Sequence, residues 1–460
     1  MTTMSTAAQL AKADHEHLIH PLQHPSEHAE PIIWARGEGA LLWDVNGKEY
    51  IDGLSGLWNV NVGHGRVELA EAGAEQMRRL GFASNYTGLA NEPAIRLAQR
   101  LSQLAYPSLN TTYFTTGGAE ANESAFKTSR FYWKAKGKPN KVKVISREHA
   151  YHGVTLAAMS ATGLSPYWKM FEPRVPGFLH IPSPYPYRFA HQKPGVSDGV
   201  AAANLLEEAI LREGPDTVAG FLAEPVQGAG GVIVPQPEYF PRIREICTRH
   251  DVLFIADEVI TGFCRTGKWF ALTHWGVEPD IMVFAKGVTS GYLPLGGIMV
   301  SDAIRGVIEA VPAQDRWMHA ATYSGHPVCC AVGLKNLEIM ERERLWERAE
   351  AMGRRLLAGL ETLRGLAAVG DVRGLGMMAA VQLVSDRAAK TPFDPARKVG
   401  PRAKDKALRR GVYLRVIRDV LCVAPPLVTT EAQIERLVNI LGEAIEAVVP
   451  TRGERGKGKG

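Results

Sequence analysis

From about residue 65 to residue 330 the chain repeats one pattern, in which short apolar runs alternate with stretches of helical periodicity. Residues 142–146, 220–223, 252–256 and 281–285 are such runs. Strands separated by helical stretches predict βαβ units around a mostly parallel sheet. Upstream, residues 40–52 predict a β-hairpin that turns at Asn46-Gly47, a pair suited to the positive φ angles of a two-residue turn. Downstream, residues 328–365 predict one long helix followed by another. Strands are then expected at 377–383, 412–417 and 420–424, and a closing helix over about 430–448. A chain of 460 residues exceeds one ordinary core. The expected fold is α/β: a large domain over 65–330, and a smaller α+β domain assembled from the N-terminal segment 1–64 and the C-terminal part 331–450. Residues 451–460 form a tail.

Composition narrows the function. Apolar residues are 45% and charged residues 22%, as in soluble globular proteins. The tail holds four basic residues and one acidic, so it supplies +3 of the formal charge of +5. The body is nearly neutral, which argues against nucleic acid as a partner. The tail reads as a solvated, disordered end. No stretch of 18 apolar residues predicts a membrane span, and the first residues lack the apolar core of a secretory signal. Five irregularly spaced cysteines without a C-x-x-C pair suit reduced thiols and a cytoplasmic location. His20, His24 and His28 recur every fourth residue, but Pro21 and Pro25 interrupt any helix there and no carboxylate or cysteine is expected to complete a set, so no metal is predicted.

Two apolar runs lead into reactive groups. Residues 281–285 precede Lys286, and residues 252–256 precede Asp257. Ligand sites of open α/β sheets lie at the carboxyl ends of strands, so an amine and a carboxylate are expected at one sheet edge. A lysine forms a Schiff base with an aldehyde cofactor, and an aspartate keeps a pyridinium nitrogen protonated. The pair suggests pyridoxal phosphate; a plain salt bridge is the alternative. Residues 113–122 read as a strand, the small-residue turn Gly117-Gly118-Ala119 and a helix start, which is either a phosphate site or only a turn. Tyr151 precedes His152-Gly153 at another strand-to-helix connection, where its ring stacks on a cofactor or packs in the core. Tyr413, Arg415 and Ile417 are expected on one strand face, where Arg415 forks onto a substrate carboxylate or lies exposed on an edge strand. Residues 262–268 satisfy the G-x-x-x-x-G-K phosphate loop of a nucleotide-binding protein. That reading fails at Trp269, which stands where a magnesium-binding hydroxyl is required, and an expected helical turn over 258–261 separates the motif from its strand.

Together these segments resemble the class III aminotransferases, within the fold-type I pyridoxal phosphate enzymes, over about residues 15–448. The most specific stretch is residues 254–267, followed by Pro279-Asp280 and Lys286-Gly287; Arg265-Thr266-Gly267 belongs to it, which explains the false phosphate loop. Residues 224–228, 322–327 and 373–377 match as well. The resemblance implies that Lys286 carries pyridoxal 5′-phosphate, that Asp257 pairs with its pyridine nitrogen, and that Val259 and Tyr151 enclose its ring. It implies backbone N–H groups of Gly118 and Ala119 at the phosphate, Glu224 in the cofactor site, and Thr322 reaching the phosphate from a neighbouring subunit. The functional unit would be a homodimer, or a tetramer built from it. Position 119 is often serine in the family; alanine keeps the backbone donor and loses a hydroxyl. Residues 224–235 and 57–63 look like the ω-amine:pyruvate branch, with Ala229 where ornithine and γ-aminobutyrate enzymes usually carry an acid. In that branch Trp58 is expected to line the pocket, together with Phe82 and Tyr86 from the divergent segment 81–87. Arg415 matches the mobile arginine that binds the acceptor carboxylate. The implied activity is an ω-transaminase that moves an amino group from a primary amine or ω-amino acid to pyruvate, giving alanine by a ping-pong route. Enzymes specific for β-alanine, taurine or polyamines are alternatives, as are an aminomutase and a decarboxylase on the same cofactor.

Overall fold

The computed structural model describes residues 6–24 and 31–449. The basic tail and His28 lie outside the described residues. Three strands open the chain: β1 (Trp34–Glu38), β2 (Leu41–Asp44) and β3 (Glu49–Asp52). The hairpin forms at the expected turn, with Gly47 at φ 80°. Seven strands then build the central sheet: β4 (Leu109–Thr115), β5 (Lys143–Arg147), β6 (Phe178–Ile181), β7 (Val218–Ala223), β8 (Leu253–Asp257), β9 (Ile281–Phe284) and β10 (Gly296–Ser301). Their order is β4-β10-β9-β8-β7-β5-β6. Strand β10 runs antiparallel to both its neighbours, and the pairs from β9 to β6 are parallel. Strands β7, β8 and β9 are buried along their whole length, which is why they read as continuous apolar runs rather than alternating ones.

The C-terminal part supplies β11 (Val369–Gly374), β12 (Ala379–Leu383), β13 (Val412–Tyr413), β14 (Arg415–Ile417) and β15 (Val420–Val423). Here the structure corrects the sequence reading. The run 412–417 is not one strand. Strand β13 joins the N-terminal sheet, parallel to β3, whereas β14 pairs with β15 in a sheet of order β11-β12-β15-β14. Leu414, 2% exposed, sits at the switch, so Tyr413 and Arg415 do not share a strand face. The same crossing pairs a C-terminal strand with the N-terminal sheet.

The expected helices form as Pro327–Arg342, Leu345–Thr362 and Glu431–Glu446; the first two part at Arg344, whose φ is 48°. One helix was not expected. Residues Ala7–His17 are helical, started by a capping box between Thr6 and Gln9, although no residue of this helix is buried. The Asp14 carboxylate lies 2.9 Å from His20 Nε2. Among the described residues no group of three possible metal ligands occurs, and no helix is long and apolar enough to cross a membrane.

Residues 262–268 form turns and bends, not a phosphate loop, and one turn closed by the Gly262 N–H on the Glu258 carbonyl at 2.9 Å separates them from β8. Their arginine is structural. Arg265 is fully buried and donates from Nη1 to the carbonyls of Met377 (3.2 Å), Ala424 (3.3 Å) and Pro425 (2.6 Å). Its Nη2 donates to Ser55 Oγ (2.9 Å) and Asn61 Oδ1 (2.5 Å). It thus fastens the central domain to both ends of the chain. Burial pulls its pKa down to about 9.

Candidate active site

The parallel register of β8 and β9 sets Asp257 opposite Val283, and Glu258 N–H donates to the Val283 carbonyl at 2.9 Å. Two residues past the end of β9, Lys286 adopts a left-handed φ of 46°. Backbone strain of this kind is retained where the surroundings over-determine it. Asp257 and Lys286 line one cavity of about 430 Å³ at the carboxyl edge of the sheet. Burial of the Lys286 amine lowers its pKa from 10.5 to about 8; Asp257 and Glu224 oppose the shift and Arg415 adds to it. A neutral amine is therefore accessible near neutral pH.

Asp257 is held rigidly. Its Oδ2 accepts from Asn122 Nδ2 (2.9 Å) and lies 2.8 Å from His152 Nδ1, and Oδ1 accepts from the Val259 N–H (3.1 Å). The carboxylate is 3% exposed and has no cation from Lys or Arg against it within salt-bridge distance among the described residues. Glu224 plays a different part. Its Oε1 accepts from the Tyr151 N–H (3.0 Å) and its Oε2 from the Gly228 N–H (2.9 Å), so it fixes the main chain on which the Tyr151 ring stands. Burial raises the pKa of the Glu224 carboxyl and of the Tyr151 phenol. Glu258, next to Asp257, is not part of the cavity lining; it is fully buried and accepts from Tyr106 Oη and the N–H groups of Ala271 and Leu272.

The N-terminus of helix Gly118–Ala135 lines the same cavity. Gly117 caps it without any side-chain hydrogen bond, which leaves free N–H groups and the positive end of the helix dipole toward the cavity. Small residues are required here. A Cβ on Gly118 would lie 3.0 Å from Val259 Cγ1, and one on Gly153 would lie 2.6 Å from Ala119 Cβ.

Of the residues picked out in the sequence, Gly118, Ala119, Tyr151, Glu224, Asp257, Val259 and Lys286 all line this cavity. Others do not. Trp58, 2% exposed, packs in a core cluster with Leu54, Val226 and Ile260, and Asn59 lines the cavity in its place. Phe82 and Tyr86 are exposed, as is Thr322; Phe82 meets Tyr323 edge-on at 6.0 Å. Arg415 is outside the lining but near enough to act electrostatically on Lys286 and Tyr151. Asn122 and His152 were not assigned from sequence, although both stood in the quoted motifs. Their contacts with Asp257 span 135 and 105 residues, and no local pattern reports such a contact.

The family profile Aminotransferase class-III matches residues 22–445. A putrescine–pyruvate aminotransferase of Pseudomonas aeruginosa is 40% identical over 415 residues, covering 90% of each chain. A diaminobutyrate–2-oxoglutarate transaminase of Halomonas elongata is 39% identical, covering 97% of each. Among solved structures, a thermostable (S)-enantioselective omega-transaminase from Thermomicrobium roseum superposes with a TM-score of 0.93 at 47% identity, covering 96% of this chain and 99% of that one. Pyridoxal phosphate suits the residues present: an uncapped helix N-terminus for a phosphate, a buried carboxylate for a ring nitrogen and a deprotonatable amine for an aldehyde meet in one cavity. With the profile spanning nearly the whole chain and the fold matching throughout, the chain belongs to the class III aminotransferases, enzymes dependent on pyridoxal 5′-phosphate.

Proposed function

We propose that this aminotransferase is an ω-transaminase that takes the amino group of a primary amine or ω-amino acid and passes it to pyruvate, forming alanine. The observation that carries this reading is Arg415. Its guanidinium is partly buried, acts electrostatically on Lys286, and has no ion-pair partner among the described residues. A cation left unpaired beside a reactive amine suits a small keto-acid carboxylate, and one not locked in place leaves room for donors without a carboxylate. The pyruvate in the name of the Pseudomonas relative supports the acceptor.

When bound, the cofactor supplies an electron sink for the carbon that bears the amino group. The remaining work falls to side chains. Lys286 Nζ would hold the cofactor through its aldehyde and, with a donor amine in its place, would move a proton from the donor carbon to the former aldehyde carbon, as base and then acid. Asp257, immobilised by Asn122, His152 and the Val259 N–H, holds the proton on the ring nitrogen. Gly118 and Ala119 N–H groups bind the phosphate. Val259 and Tyr151 face the ring, with Glu224 steadying Tyr151. In a homodimer, or a tetramer built from it, the exposed Thr322, Phe82 and Tyr86 serve the cavity of the neighbouring copy. We place the enzyme in the cytoplasm, where its five free, buried cysteines stay reduced.

The test is the visible spectrum of the cofactor-loaded protein, titrated with a carboxylate-free amine and then with pyruvate. The cofactor band should bleach with the amine and return with pyruvate. A band that bleaches only with amino acids, or returns only with another keto acid, overturns the substrate assignment. Arg415→Ala should lower kcat/KM for pyruvate about 100-fold while the amine half-reaction stays within about threefold, since a charge-assisted fork is worth about 1.5–3 kcal/mol. Equal losses in both halves would remove Arg415 from the acceptor site.

A further inference from the structure

Three residues before Thr322, His319 makes a directional contact with the helix that begins at the phosphate corner. Its Nε2 lies 2.8 Å from Ser124 Oγ and its Nδ1 lies 2.8 Å from Lys127 Nζ. An ammonium only donates, so Nδ1 is the acceptor and carries no proton. The ring proton is then on Nε2 and goes to Ser124 Oγ. Ser124 in turn donates to the Glu120 carbonyl at 2.8 Å, in the first turn of helix Gly118–Ala135. The ring also packs between Tyr113 of β4 (5.2 Å) and Trp317 of its own loop (5.1 Å). Ser124 is 1% exposed, so this is a built contact and not a surface encounter.

We infer that His319 is a positioning residue for the cofactor phosphate: in its neutral form it fastens the Thr322 segment to the phosphate-binding helix, and its protonation releases that segment. This rests on the reading that Thr322 of one copy reaches the phosphate held by the other. One ring then links the phosphate grip of its own chain, through Ser124 and Glu120, with that of its neighbour, through Thr322. A second proton would place Nδ1–H against the Lys127 ammonium, two donors facing each other. Lys127 and Glu123 are the charged groups acting on the ring, and Tyr113 is another titratable side chain against it. Burial first, then Lys127, hold the His319 pKa below its ordinary 6.5, with Glu123 opposing. The contact is therefore complete above pH 6.5 and is lost as pH falls through the lowered value.

The experiment measures the rate of cofactor release from the holoenzyme, as free pyridoxal phosphate in filtrates, between about pH 5 and pH 8. Wild type should release slowly near neutrality and faster with one protonation below pH 6.5. His319→Gln keeps a neutral donor toward Ser124 and cannot take up the proton, so its release should stay slow across the range. His319→Phe should release about tenfold faster at all pH values, the loss of one hydrogen bond. Lys127→Met removes the ammonium that the second proton would face and keeps the contact with Ser124, so its release should stay slow at acid pH. Thr322→Ala runs in parallel. If it releases faster and His319→Phe does not, or if His319→Gln keeps the wild-type pH profile, the inference falls while the Thr322 reading stands. If Thr322→Ala releases at the wild-type rate, both fall. Should His319→Phe fail to fold, the Gln and Met variants carry the same test.

Discussion

In the proposed reaction the chemistry turns on Lys286, and the environment of its amine makes a stability claim that needs no substrate. In the cofactor-free chain its pKa falls from 10.5 to about 8 because burial penalises the ammonium. Between those values the unfolded chain binds the extra proton and the folded chain does not, so stability rises with pH across that window. Below pH 8 the folded state bears a cost of roughly 3 kcal/mol. Lys286→Met should therefore raise the melting temperature of the cofactor-free protein at pH 7, and the gap to wild type should close as the pH passes from 8 to 10.5. A constant gap, or a lower melting temperature, would mean that the amine is solvated and not tuned. The same burial has a catalytic use, since an amine titrating near 8 serves both as nucleophile and as base. From sequence the residue was legible because an apolar run led straight to it. Its left-handed backbone was not, because nothing in Ala285-Lys286-Gly287 demands it; the fold around the sheet edge imposes it.

At the level of elements, the phosphate corner depends on how closely two segments approach. Gly153 has φ 128°, and a Cβ there would lie 2.6 Å from Ala119 Cβ and 2.8 Å from Ala119 Cα. Gly153→Ala should push the start of helix Gly118–Ala135 out of place and weaken cofactor binding by about 1–3 kcal/mol. Adding Ala119→Gly removes the nearer contact and should restore part of the affinity, read by equilibrium dialysis of pyridoxal phosphate. Unchanged affinity in the single variant would mean the corner is more compliant than its packing indicates. The elements of the central sheet were readable because β7, β8 and β9 are buried on both faces and short. The run 412–417 misled for the opposite reason. Its alternation is real, but the chain changes sheets at the buried Leu414, and periodicity within one segment does not report which partner strand each half will find. Helix Ala7–His17 was missed because it buries nothing, so it has no apolar stripe to read, and only its capping box signals a start. Trp58, with a φ of 66°, packs in the core, and its neighbour Asn59 lines the cavity.

Over the whole molecule, Arg265 is the fastener. Residues near 55–61, 265, 377 and 424–425 meet on one guanidinium, so the two chain ends and the central domain lose a shared set of hydrogen bonds together if it is removed. Arg265→Met should cost about 3 kcal/mol or more, because buried acceptors are left unpaired, and should lower the urea midpoint while the folded protein still binds the cofactor. Loss of cofactor binding at full stability would reverse that assignment. The false phosphate loop in the sequence and the true fastener are the same residues, a confusion that only the three-dimensional arrangement resolves. The placement of Asp257 at the end of β8, and of Lys286 two residues past the end of the neighbouring parallel β9, has a wider consequence. Strands lie about 4.8 Å apart because backbone hydrogen bonds have a fixed length. The lattice of the sheet thus gauges the two strand ends from which acid and amine are hung, with only Ala285 between β9 and Lys286. In the proposed dimer, segment 81–87 of the neighbouring copy can change which amine is admitted, like interchangeable jaws on a fixed vice, and the grip on the reacting atoms stays the same.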